Sequence, residues 1–116
     1  VINNAIFNWN GGVLSAPLVN NGTATFSVTG TTYSNVYSGT GALTLAPSGG
    51  SFHFFPTLTA GYIFPSVTYT NLGNLFFDTS ATITNLTLNG STFTGAGAIT
   101  IPNGGVLTGG ATLLGG

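Results

Sequence analysis

The chain has 116 residues, with no lysine or arginine, one acid (Asp78), one histidine (His53) and no cysteine. That length suits one domain spanning 1–116, and 42% hydrophobic with 12% aromatic residues offsets ordering entropy, excluding disorder. The missing basic residues argue against nucleic acid and anionic membranes, the missing cysteines exclude disulfides and thiolate metal sites, and no run approaches the roughly 18 apolar residues of a membrane helix.

In chain order the expected strands are Ala5–Trp9, Thr23–Thr29, Ala42–Leu45, Ser51–Phe55 and Val67–Thr70. Asn74–Phe77, Ala81–Leu88, Ala98–Ile101 and Ala111–Leu114 complete them. Many alternate an apolar residue with threonine or serine, as in Thr82-Ile83-Thr84. Such a period of two marks a sheet buried on one face. No window carries a capped 3.6-residue apolar period, and Gly, Thr, Ser and Asn fill every candidate helix interior. The sequence opens at Val1 without methionine or a charged leader, which reads as a processed protein or a piece of a longer one.

Self-similarity organises the chain. Gly39–Gly50 (GTGALTLAPSGG) and Gly95–Gly105 (GAGAITIPNGG) share a Gly-x-Gly-Ala corner, a short alternating strand, a proline and a Gly-Gly step, 56 residues apart. Trp9–Ser15 is a looser echo of Leu88–Thr94. Repeats of this kind stack one supersecondary unit on itself. The predicted fold is therefore all-β: a parallel β-helix, or β-solenoid, of degenerate repeats. Four Asn-Gly steps, at Asn10, Asn21, Asn89 and Asn103, keep an alternative open, because Asn-Gly between strands favours hairpins and an antiparallel sandwich of pilin type. In that alternative Val1–Trp9 serves as a donor strand completing a neighbour's sheet.

The segment Ser51–Tyr69 departs from the pattern. It carries Phe52, Phe54, Phe55, Tyr62 and Phe64 beside two Phe-Pro steps, at Pro56 and Pro65. Proline cannot donate to a ladder, so these steps are expected at edges or corners. The aromatics either close an excursion over the core or form an adhesive patch meeting another subunit.

Parallel stacking brings like residues to about 4.8 Å. Two like charges at that separation repel by about 1 kcal/mol in water and about 3.5 kcal/mol at an effective dielectric of 20. Asn, Ser and Thr instead stack as hydrogen-bonded ladders. An uncharged stack also lacks the lysines that usually blunt sheet edges. The expected interface residues are accordingly Val1 and Ile2, the aromatics Phe52, Phe54, Phe55, Tyr62 and Phe64, and Leu113 and Leu114. They predict self-association into a homopolymer.

Candidate chemistry is sparse. His53 faces away from Phe52 and Phe54, which suits a structural histidine, and Asp78 at a strand end suits an Asx-turn acceptor. One acid cannot supply a glycosidase pair, and no Gly-x-Ser-x-Gly elbow accompanies His53 and Asp78. No catalytic, cofactor or metal residue is assigned. Sequons at Asn21, Asn85 and Asn89 are possible glycosylation sites. Paired threonines (Thr23/Thr25, Thr68/Thr70, Thr82/Thr84, Thr92/Thr94) raise ice binding, or a carbohydrate-binding adhesin module, as further alternatives.

At WNGGVLS, LVNNGTATF and LTLNGSTFTGAGAITIPNGG the chain resembles secreted β-strand-repeat proteins of the parallel β-helix type, including autotransporter passengers and filamentous adhesins. The resemblance covers half to two thirds of the chain. It implies an extracellular or cell-surface location, an elongated shape and a structural or adhesive role, with no catalytic residues to transfer.

Overall fold

The computed structural model describes residues 1–71, 74–90, 92–94, 97–102, 105–108 and 112–113. The strands of the first three coils are β1 (Ile2–Asn3), β2 (Ile6–Trp9), β3 (Leu18–Asn20), β4 (Thr23–Phe26), β5 (Thr31–Tyr33), β6 (Tyr37–Ser38), β7 (Ala42–Leu45) and β8 (Ser51–Phe54). Then follow β9 (Ile63–Asn71), β10 (Asn74–Phe77), β11 (Ala81–Gly90), β12 (Thr92–Thr94), β13 (Ile99–Thr100), β14 (Gly105–Thr108) and β15 (Thr112–Leu113). No described residue forms a helix, and hence none forms an apolar helix long enough to cross a membrane.

Every described strand pair is parallel. The chain is a β-solenoid of about five turns. A short sheet holds β1, β3 and β6; a broad sheet holds β2, β4, β7, β9 and β11 with β13 and β14; a third sheet holds β5, β8, β10, β12 and β15. The antiparallel sandwich is thereby set aside: Asn21-Gly22 is a corner between β3 and β4 and Asn10-Gly11 follows β2, whereas Asn89-Gly90 ends β11 and Asn103-Gly104 lies outside the described residues. At Gly22 a Cβ would collide with the carbonyl of Ala5, and one on Gly41 with that of Gly22. Only glycine lets successive coils close up at this corner.

Along the broad sheet Ile6 pairs with Thr23, Thr23 with Ala42, Ala42 with Ser66, and Ser66 with Asn85. The coils therefore advance by 17, 19, 24 and 19 residues. The 56-residue self-similarity does not join one column. Leu43 stacks with Ala24 and Val67, whereas Ile99 stacks on Ala81. What recurs is a local demand: a Cβ at Gly97 would meet the Thr79 carbonyl, as one at Gly41 meets Gly22.

Alternation fills the interior. Trp9, Phe26, Leu45, Tyr69 and Leu88 form one inward column of the broad sheet, and Tyr33, Phe54 and Phe77 form one of the third. The rings meet mostly edge to face, with Trp9–Phe26 centroids at 5.2 Å and Phe54–Phe77 at 5.1 Å. Such geometry suits the ring quadrupoles. Phe52, Phe54 and Phe64 are buried here, which corrects their expected role at a subunit interface: inward alternation commits them to the core. Pro65 also departs from expectation. It lies within β9 instead of at a corner, and the β9–β11 register skips from Phe64/Ile83 to Ser66/Asn85 around it.

Polar ladders run between coils. Asn3 Nδ2 donates to Asn20 Oδ1 at 2.9 Å, and Asn20 Nδ2 donates to the Tyr37 hydroxyl at 3.0 Å and the Ala42 carbonyl at 2.9 Å. Asn3 and Asn20 are buried, so these bonds replace those lost to water. Outside, Asn21 donates to Asn4 and Ser27 to Asn10.

Candidate functional site

Two surfaces and one side-chain pair stand out. The first surface is the outer face of the broad sheet. Thr25, Thr44, Thr68 and Thr87 occupy one column, with Asn8 below Thr25. On one side of it run Thr23, Ala42, Ser66 and Asn85, and on the other Thr70 and Asn89. Rungs are about 4.8 Å apart and alternate residues about 6.7 Å apart along a strand. The result is an uncharged lattice of hydroxyls, methyls and amides without an aromatic ring. Pairs of threonines were visible in the sequence; their alignment across coils was not, since the connecting lengths vary.

The second surface is the edge formed by β1 and β2. Among the described residues β1 pairs only with β3, and β2 only with β4. The Ala5 and Trp9 carbonyls accept bonds from Thr23 and Ser27 in the next coil. Backbone groups alternate sides along a strand, so those of Ile6 and Asn8 point away from β4. Ile2 is 70% exposed and Ile6 74% exposed. The terminal ammonium of Val1 donates to the Pro17 carbonyl at 2.8 Å.

His53 and Asp78 meet across neighbouring strands of the third sheet, with Nδ1 2.8 Å from Oδ2. The His53 ring lies flat on Phe76 at 4.4 Å, its register partner. The single acid and single histidine of the chain thus pair with each other. His53 does face away from Phe52 and Phe54, but the pairing went unseen in the sequence, 25 residues separating the partners. Among the described residues no hydroxyl bonds His53 to extend the pair into a nucleophile relay, and none cluster as three or more metal-binding side chains.

The sequon asparagines Asn21, Asn85 and Asn89 are exposed. Asn21 is already engaged with Asn4, and Asn85 Nδ2 donates to the Pro65 carbonyl at 3.3 Å. Val1, Ile2 and Phe55 are exposed. Tyr62 is half-buried, packs on Phe64 at 5.0 Å and donates its hydroxyl to the Gly39 carbonyl at 2.7 Å. The Leu113 side chain and all of Leu114 lie outside the described residues. Burial raises the Tyr37 phenol to about 12, with the Asn20 hydrogen bond opposing, and raises Tyr33 to about 12. Burial raises Tyr62 further.

Comparison of the chain with protein-family models, curated proteins and solved structures finds no match.

Proposed function

We propose that the chain is a structural, non-enzymatic subunit of an extracellular or cell-surface fibre or stalk, assembling through its β1–β2 edge. The observation that carries this reading is the bare edge itself. Ile6 and Asn8 present backbone donors and acceptors outward, beside exposed Ile2 and Ile6, with no lysine in the sequence and, among the described residues, no strand pairing the outer side of β1 or β2. Such an edge templates another parallel strand. A second copy docking its far end there makes a heterologous contact that repeats as a filament. The resemblance to secreted β-strand-repeat proteins supports the location.

Asn8→Pro tests it, because the substitution removes an outward donor while sparing the β2–β4 ladder. The native chain is expected to sediment as a concentration-dependent polymer and to appear filamentous in electron micrographs, whereas Asn8→Pro remains dispersed. A native chain that stays monomeric throughout a dilution series, or a variant that polymerises equally well, rejects the reading.

The threonine column supports a second reading, adsorption to ice. Hydroxyls and methyls in register over Thr25, Thr44, Thr68 and Thr87 can order water into a lattice without competing charge. Thermal hysteresis that falls on Thr44→Lys supports it, and an absence of hysteresis dismisses it.

A further inference from the structure

The longest coil step, 24 residues from Ala42 to Ser66, has its extra length between β8 and β9. After Phe54 the chain keeps to the solenoid as far as Thr57, which bridges Val36 and donates to the Asn35 carbonyl at 3.0 Å. It then turns, with Tyr62 N donating to the Thr59 carbonyl at 3.0 Å and Gly61 at φ +81°. The turn overhangs the outer face of the broad sheet where β9, β11 and β13 begin. Beneath it lies an open cleft of about 560 Å³. That volume falls within the roughly 300–1,000 Å³ of small-molecule sites, and insertions in solenoids commonly fall on a binding face.

The floor of the cleft is a single column, Ile63, Thr82 and Thr100. Leu58 and Thr59 contribute from the overhang, and Ser80 from the turn before β11. The Ser80 hydroxyl is held in place by accepting a bond from Ala98 N at 3.1 Å. The lining therefore combines the threonine and serine hydroxyls with aliphatic carbon and the Tyr62 side chain. Neither His53 nor Asp78 belongs to it. An ionic ligand would give up hydration here without finding a counter-charge. A wholly apolar one would leave threonine hydroxyls and peptide groups unpaired. An uncharged ligand with hydroxyls around a ring and C–H groups on its faces satisfies both conditions.

We propose that this cleft binds a neutral saccharide, with Thr82 and Thr100 as hydrogen-bonding residues and Leu58 and Ile63 as the apolar contact. The site lies away from the β1–β2 edge, although Thr100 belongs to β13 at the opposite end of the broad sheet, and sugar binding is read separately from assembly.

Saturation-transfer NMR and titration calorimetry on the whole chain test the proposal, using neutral hexose and N-acetylhexosamine disaccharides beside sulfated and sialylated oligosaccharides. At least one neutral sugar is expected to bind, and the charged ones are not. Thr82→Val and Thr100→Val, which keep shape and remove a hydroxyl, are each expected to weaken binding about tenfold, one hydrogen bond's worth. Thr44→Val, on the same sheet outside the cleft, is expected to leave it unchanged. Ala60→Trp, on the exposed overhang, fills the mouth without entering the core and is expected to abolish binding. No binding by any neutral sugar, equal binding by charged ones, or native affinity in Thr82→Val and Ala60→Trp overturns the assignment.

Discussion

Placing two glutamates in one outward column, Thr44→Glu with Thr68→Glu, tests why the chain carries almost no charge. The two threonines are direct register partners on adjacent strands and both are half-buried. At about 4.8 Å their carboxylates repel by about 1 kcal/mol if water screens them fully, and by about 3.5 kcal/mol at the dielectric of a partly buried surface. Each single variant is expected to change stability by about 0.5 kcal/mol or less, as surface substitutions do. The double variant is expected to be destabilised by an extra 1–3.5 kcal/mol, roughly, in a double-mutant cycle. That is a large share of a domain's roughly 5–15 kcal/mol. Urea unfolding at about 0.01 M ionic strength, where the screening length is about 30 Å, shows the coupling in full; at about 1 M it shrinks. Lowering the pH below the ordinary glutamate value of about 4.3 removes it, and Thr44→Glu with Thr68→Lys reverses its sign. A coupling below about 0.3 kcal/mol at low salt, within the error of additivity, refutes the argument that stacking excludes charge.

Further outcomes follow from the buried polar groups and the glycine corners. Asn20→Ala removes the bonds to Asn3, Tyr37 and Ala42 and strands buried groups, so denaturant unfolding is expected to show a loss of about 2–5 kcal/mol. Gly41→Ala drives a methyl into the Gly22 carbonyl and is expected to cost about 1–3 kcal/mol. Gly11→Ala, with open space around it, is expected to stay within about 0.5 kcal/mol of native in the same assay. Alkali is expected to unfold the protein, because Tyr33 and Tyr37 are held neutral up to about 12 against an ordinary value of 10.0. The native state then binds more protons than the unfolded chain, so stability is whole below pH 10 and declines as pH rises through 12. For Tyr37 alone the loss is on the order of 3 kcal/mol. Tyrosinate absorbance followed alongside circular dichroism checks it: native-state ionisation near pH 10 without unfolding contradicts the burial argument.

Much of the architecture was legible from local pattern. Alternation in Thr23–Phe26, Ala42–Leu45 and Asn74–Phe77 marks strands because a pleated chain sends neighbours to opposite faces. The glycine corners were legible too, since backbone approach at Gly41 and Gly97 admits no side chain. Short elements such as β1, β3, β5 and β6 left no signal. Two or three residues hold no period, and their pairing partners lie a full coil away. The aromatic run Ser51–Tyr69 was ambiguous for a related reason. Phe54 and Phe55 are neighbours of identical chemistry, yet one is buried and the other 52% exposed, and only register assigns the faces.

Composition and periodicity by themselves determined a nearly uncharged chain of strands folded at glycine corners, without helix among the described residues, because those properties are settled within a few residues of each position. Tertiary structure alone decided that Thr25, Thr44, Thr68 and Thr87 align, that His53 meets Asp78, and that residues 58–62 roof a cleft over Thr82 and Thr100. Those neighbours are set by how many residues each coil uses to come round, and that count ranges from 17 to 24.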